Sequence, residues 1–206
     1  MQKRQRILCQ PIDARFVRRH AISSNHPGDK VLILYHFTSA AHLHGISKFG
    51  LTVGDVVTDI DTFKGKIGVW LTTSETPEGH GLEGSMVDKS EFRLAVDVPE
   101  NKLLWKWSDW ARENLSLRTR ILLDTGDVDR SEDFYVYFGW LPAERIMQVT
   151  STKTGRTETD WGRERPDSLL VPGVPFGKRY EWQKRTLRNV HEVLTLMTAQ
   201  PSGLAN

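Results

Sequence analysis

The sequence has 206 residues and a mass of 23.6 kDa, the size of one ordinary domain with room for a short appendage. Its 38% hydrophobic and 26% charged residues fall in the globular range, and no apolar run reaches the roughly 18–20 residues of a membrane-spanning helix. Net charge is +2, and the single cysteine, Cys9, excludes a disulfide framework and a cysteine-rich zinc site, which fits a cytoplasmic setting.

The charge is unevenly spread. Residues 1–30 carry seven Lys/Arg against two Asp/Glu, 31–150 carry twelve against eighteen, and 151–206 carry nine against six. The segments are thus +5, −6 and +3. Basic ends around an acidic centre suit contact with nucleic acid or another anionic partner; a solvated surface with scattered charge gives the same tally. The first residues, MQKRQRILCQ, are basic but lack the apolar stretch and cleavage site of a secretory signal, so 1–30 reads as a basic N-terminal extension.

In chain order, VLILYHFT at 31–38 is rich in Val, Ile, Leu and Tyr and predicts a buried strand. Ser39 is placed to N-cap a helix through AAHLHGISKF, with Leu43, Ile46 and Phe49 on one face and Gly50 as its stop. Residues 51–66 read as a Gly-, Asp- and Thr-rich loop, IGVWLTTS at 67–74 as a second strand, and the glycine-rich 75–89 as an exposed loop. Alternation of Phe92, Leu94, Val96 and Val98 predicts a half-buried strand ending at Pro99. Two helical pieces follow, SDWARENL and SLRTRILLDTG, the second closed by Gly126. DFYVYFG at 133–139 is the next strand, LPAERI a turn or short helix, and IMQVTST a closing strand.

Beyond about 152 the chain is polar and rich in Pro and Gly before a final amphipathic helix, with Trp182, Leu187, Val190, Leu194 and Met197 roughly on one side. That tail is either a packed extension or a partner-binding arm. The packed reading is favoured because the apolar stripe would otherwise face water. The expected fold is α+β, a 31–150 domain of strands interrupted by short helices, with residues 151–206 forming a polar linker and a C-terminal helix packed on it.

Common chemical fingerprints are missing: there is no GxxxxGK[ST], no GxGxxG after a strand, no HExxH and no GxSxG. His42 and His44 are two apart, which on a helix sends their rings to different faces, so no metal site is expected. The unusual position is His36, polar at the end of an apolar strand and followed by Thr38 and Ser39. It is either a ligand-binding group or a histidine that satisfies a neighbouring carbonyl.

The run LYHFTSAAHLHGISKFGL resembles the first strand and helix of the ADP-ribosyltransferase superfamily, in the histidine-bearing branch of DarT-type DNA-modifying toxins and, more distantly, the RNA 2′-phosphotransferases. The matching positions are Tyr35, His36, Thr38, Gly50 and Leu51. GVWLTTS resembles the block lining the nicotinamide pocket. RSEDFYVYFGWLPAERIMQV resembles the block in which a catalytic glutamate opens a strand, here Glu132. Tyr35-His36 in place of an Arg-His pair argues against phosphotransfer.

The resemblance implies a split, mostly antiparallel sheet with NAD as co-substrate in the cleft. His36 and Thr38 would hold a ribose, Trp70, Thr72 and Thr73 the nicotinamide end, and Glu132 would be catalytic. The implied activity is mono-ADP-ribosyl transfer to a macromolecular acceptor, nucleic acid or protein, with release of nicotinamide. Three alternatives stand beside it: an NAD glycohydrolase, a non-catalytic nucleotide-binding or inhibitory module of the same fold, and an unrelated nucleic-acid-binding protein that stacks bases on exposed tryptophans.

Overall fold

The computed structural model describes residues 31–79, 87–124, 131–162 and 172–199. The expected basic extension 1–30, the middle of the 75–89 loop, the Gly126 helix stop and much of the linker after 162 lie outside them. So do the side chains of Val190, Leu194 and Met197.

The fold is α+β, with a mostly antiparallel sheet and a C-terminal helix. Its strands are β1 (Val31–Thr38), β4 (Val69–Thr72), β5 (Phe92–Pro99), β6 (Leu104–Lys106), β7 (Phe134–Tyr137) and β8 (Ile146–Ser151), in the spatial order β6-β7-β4-β1-β5-β8. A separate hairpin joins β2 (Asp55–Asp59) to β3 (Lys64–Ile67). The helices are α1 (Ala40–Phe49), α2 (Trp107–Asn114), α3 (Leu117–Asp124) and α4 (Arg179–Ala199).

β5 shows how directly side-chain alternation becomes packing. Phe92, Leu94, Val96 and Val98 are all buried and their neighbours are not, so one face of the strand joins the core, as the period of two requires. That core also takes Leu34, Val69, Leu71 and Val149 from the sheet and Leu43 and Ile46 from α1. A second cluster lies on the opposite face, where Trp107 and Trp110 of α2 pack on Phe134 and Val136, with Val56 of the hairpin completing it.

Three expectations change. The segment 51–66, read as loop, contains β2 and most of β3. Its turn is built from local chemistry: Asp59 Oδ1 accepts the Asp61 and Thr62 N–H groups, and Phe63 takes a left-handed φ of 54°. The expected strand 67–74 is interrupted after Ile67 and ends at Thr72. Ser39 occupies the N-cap position of α1 without capping it. Its Oγ instead hydrogen-bonds His42 Nδ1 at 2.9 Å, and the Ala40 N–H donates to Glu91 Oε2 at 2.9 Å, so a distant carboxylate meets the helix terminus.

At the other end of α1, Gly50 adopts φ 74°, and a Cβ there would lie 2.3 Å from the Leu141 carbonyl oxygen. Only glycine fits, which ends the helix and lets Leu51 bridge to Leu141. The C-terminal helix packs against the β2–β3 hairpin, with Leu187 so close to Gly65 that a Cβ on that glycine would meet Leu187 Cδ2 at 2.9 Å.

Candidate functional site

The sheet is parted at its centre. β1 and β5 are paired along the whole strand, from Val31↔Pro99 to Thr38↔Phe92, and β4 and β7 from Val69↔Tyr137 to Thr72↔Phe134. β1 and β4 share only the Tyr35↔Thr72 pair. The six strands therefore form two three-stranded halves, β6-β7-β4 and β1-β5-β8, meeting at one residue pair. Backbone groups on either side of such a seam lack a ladder partner and must be satisfied otherwise.

His36 does this for β4. It lies next to the seam pair, and its Nδ1–H donates to the Trp70 carbonyl at 2.8 Å. Because a carbonyl can only accept, this bond fixes the proton on Nδ1 and leaves the Nε2 lone pair as an acceptor. Burial pushes the ring's pKa down to about 4 against the smaller upward pull of that bond, so the imidazole is neutral near pH 7. The ring thus spans the seam as an uncharged group with one fixed tautomer. Thr38, two residues on, is 3% exposed and lies within the same strand pairing.

Trp70 and Thr72 belong to the opposite face. Val69 and Leu71 face the core under α1, which turns Trp70 and Thr72 toward α2. The Trp70 indole is committed there: its Nε1–H donates to the Asp55 carbonyl at 2.8 Å, and its ring meets Trp107 edge-on at 4.6 Å. Only the Trp70 backbone, not its indole, meets His36. Thr72 Oγ1 accepts the Ser74 N–H at 3.0 Å. Thr73 is fixed to the start of β7, its N–H donating to the Asp133 carbonyl at 3.0 Å and its hydroxyl to Asp133 Oδ1 at 3.2 Å.

Glu132 sits in the 3-10 turn Ser131–Asp133 that leads into β7, two places across the sheet from β1 with β4 between. Its carboxylate is 70% exposed and 2.5 Å from Lys106 Nζ. The Lys106 hydrogen bond and charge, aided by Ser108 and Arg112, hold its carboxyl below the usual carboxylate range. The group is therefore a fixed negative charge at the edge of the α2 face.

The structure also assembles a cluster beside the seam that sequence reasoning missed. Tyr35 donates its hydroxyl to Glu75 Oε1 at 3.0 Å, Arg93 donates to Glu75 Oε2 at 2.8 Å, and the Arg93 guanidinium lies 5.0 Å from the Tyr35 ring centre. Burial, with the Glu75 contact, raises the Tyr35 pKa, so the phenol stays protonated as a donor. Tyr35 and Arg93 are visible as polar interruptions of strand patterns, but their union through Glu75 spans 40 residues and leaves no local signal.

The structure brings the neutral His36 imidazole and the Trp70 carbonyl together at the seam. Thr72 lies on the other face of the sheet, and Glu132, paired with Lys106, stands two strand positions from β1 with no contact to His36 among the described residues. Among the described residues no group of three His, Cys, Asp or Glu side chains can hold a metal ion. No described helix is long and apolar enough to cross a membrane. Compared with known proteins, the chain matches no family model, no curated protein and no solved structure.

Proposed function

We propose that the protein is an NAD-dependent mono-ADP-ribosyltransferase, with NAD as co-substrate and a nucleic acid or protein as acceptor. The observation that carries this reading is the seam between β1 and β4 with His36 spanning it. A sheet parted at one residue pair offers a ligand backbone groups and side chains from both halves. The neutral His36 suits a ribose hydroxyl, because Nε2 accepts while Nδ1 is held by the Trp70 carbonyl.

In this reading the bond between nicotinamide nitrogen and ribose C1′ breaks with its electron pair leaving on nicotinamide, which departs neutral. The ribose becomes oxocarbenium-like, as in glycoside cleavage. A lone pair on the acceptor forms the new bond to C1′, and the acceptor's proton passes to base or solvent. Glu132 supplies negative charge where positive charge develops, and Lys106 keeps it ionised beforehand. Thr72 and Thr73, anchored at the end of β4, contribute hydroxyls to the nicotinamide end. Trp70 contributes its strand position and carbonyl rather than a free ring face, since Asp55 and Trp107 hold its indole.

The test follows nicotinamide release from NAD with and without oligonucleotides and cell lysate. Acceptor-dependent release supports transfer, release without acceptor supports hydrolysis, and neither release nor NAD binding overturns the proposal. Glu132→Gln keeps shape and removes charge, so turnover should fall by a factor on the order of 10² to 10⁴ with NAD affinity little changed. Asp133→Asn is the comparison. It loosens the Thr73 contact but leaves the Glu132 charge, so its loss should be much smaller; the reverse order would reassign the catalytic carboxylate.

A further inference from the structure

Away from the seam, a pocket of about 650 Å³ opens between the β3 end of the hairpin, β6, α2, the end of β7 and the start of α4. Three cations line it, Lys66, Lys102 and Arg179, against a single acid, Glu113. Among the described residues none of the three cations forms an ion pair with a carboxylate. Lys66 Nζ rests 5.3 Å from the Trp110 ring centre and 5.6 Å from that of Phe138, so the aromatic floor holds the ammonium in place.

Two polar groups at this pocket are enclosed without partners. Gln183 is 7% exposed, and its Nε2 has no hydrogen-bond partner; Arg179 Nε is likewise unmatched, although its Nη2 donates to the Gly139 carbonyl at 2.9 Å. Leaving such groups unpaired is costly, and both belong to side chains that line the pocket, where a small side-chain shift brings them to a ligand. Trp105, 39% exposed, stands at the rim with its Nε1–H tied to the Lys102 carbonyl at 3.1 Å, which fixes the indole while its surface stays accessible.

We propose that this pocket binds a nucleoside monophosphate. The cations match a phosphate, the Gln183 amide and Arg179 match acceptor atoms on a base or sugar, and the Trp105 ring is placed to stack on a base. The volume is in the range of small-molecule sites. The Trp105 ring offers one exposed platform for a single base, whereas a single-stranded polymer needs successive stacking platforms. The pocket is distinct from the seam: none of its lining residues belongs to β1 or β4. The proposal does not depend on the NAD reading.

The experiment is calorimetric titration of the full chain with cytidine monophosphate, with cytidine, inorganic phosphate and a short single-stranded oligonucleotide as separate arms. Cytidine monophosphate should bind more tightly than cytidine or phosphate alone. Lys102→Ala, an exposed substitution expected to fold normally, should weaken it about tenfold, the scale of one charge-assisted contact. Gln183→Leu should weaken the nucleotide more than phosphate, and His36→Ala should leave it unchanged, with thermal melting confirming that each variant is folded. The proposal is overturned by absence of nucleotide binding, by binding indifferent to Lys102→Ala, by phosphate binding as tightly as the nucleotide, or by loss in folded His36→Ala. Binding of the oligonucleotide alone would also overturn it and assign the pocket to a polymer.

Discussion

Asp55 sits under Trp70 with its carbonyl accepting the indole N–H, while its own Oδ1 is enclosed without a partner. Burial pushes its pKa up to about 6 from an ordinary 3.8. The sign of the consequence follows from proton counting. Between those two values the folded protein holds the proton more tightly than the unfolded chain does, so this group's contribution is greatest at acid pH and is lost as pH rises through about 6. Near pH 7.5 the fold carries an unmatched carboxylate, at a cost of about 1 kcal/mol once partial solvent access is allowed for. Asp55→Asn should therefore raise the melting temperature at pH 7.5 by roughly 2–4 °C, with the advantage disappearing near pH 4. His36 acts in the opposite direction, since its lowered pKa makes the fold lose stability as pH falls from 6.5 through about 4. That loss is common to both proteins and cancels in their difference. Melting curves at both pH values check the argument; an equal difference at each would show that Asp55 titrates normally.

At the scale of elements, α1 depends on close approach. Gly45 faces Gly173 so tightly that a Cβ on Gly45 would lie 2.5 Å from the Gly173 Cα, a backbone atom that a rotamer change cannot move aside. The Thr52 hydroxyl donates to the Val174 carbonyl at 2.6 Å, so the segment beginning at 172 is strapped to α1 and the turn after it. Gly45→Ala should destabilise by about 1–3 kcal/mol through overpacking, read as a lower urea midpoint with an unchanged slope. Gly177→Ala, with nothing within 4 Å of its Cβ, should stay near the wild-type midpoint; equal midpoints for both variants would refute the strap. The same contrast between near and far explains what sequence reading reached. β5 announced itself because its burial pattern is its own alternation, and His36 because one polar ring closes an apolar strand. The β2–β3 hairpin was not legible: KGKI and DVVTD lack an apolar period, and their partners on α4 are more than a hundred residues away. The α1 cap failed as a local reading because Glu91, not Ser39, meets the Ala40 N–H. Trp70 looked available in sequence for the same reason, since Asp55 and Trp107 meet it only in the folded chain.

At the scale of the whole molecule, the two sheets have unequal means of support. The six-stranded sheet has core on both faces, whereas β2–β3 is a two-stranded hairpin outside its hydrogen-bonded ladder. Isolated hairpins of this size are marginal in water, so β2–β3 depends on what covers it. α4 supplies part of that cover through Leu187 on Gly65, and the Phe63 and His191 ring centres are 3.6 Å apart. α3 supplies another part, with the buried Thr119 hydroxyl accepting the Ile60 N–H at 3.0 Å. Val56, fully buried, ties the hairpin to the α2 cluster. Ending the chain after Lys178 would remove α4 and leave the other two ties. Local stability should then fall in the hairpin before it falls in the sheet, because opening free energies follow the contacts of each cooperative unit. In hydrogen–deuterium exchange of the shortened chain, amides of 55–67 should exchange faster by at least tenfold. Amides of β1 and β5, paired along their whole length, should keep their protection. Unchanged exchange at 55–67 would mean that α3 and Val56 suffice. Loss of protection in β1 and β5 to the same degree would mean that hairpin, helix and sheet unfold as one unit, and that α4 belongs to the core of the domain instead of bracing its hairpin.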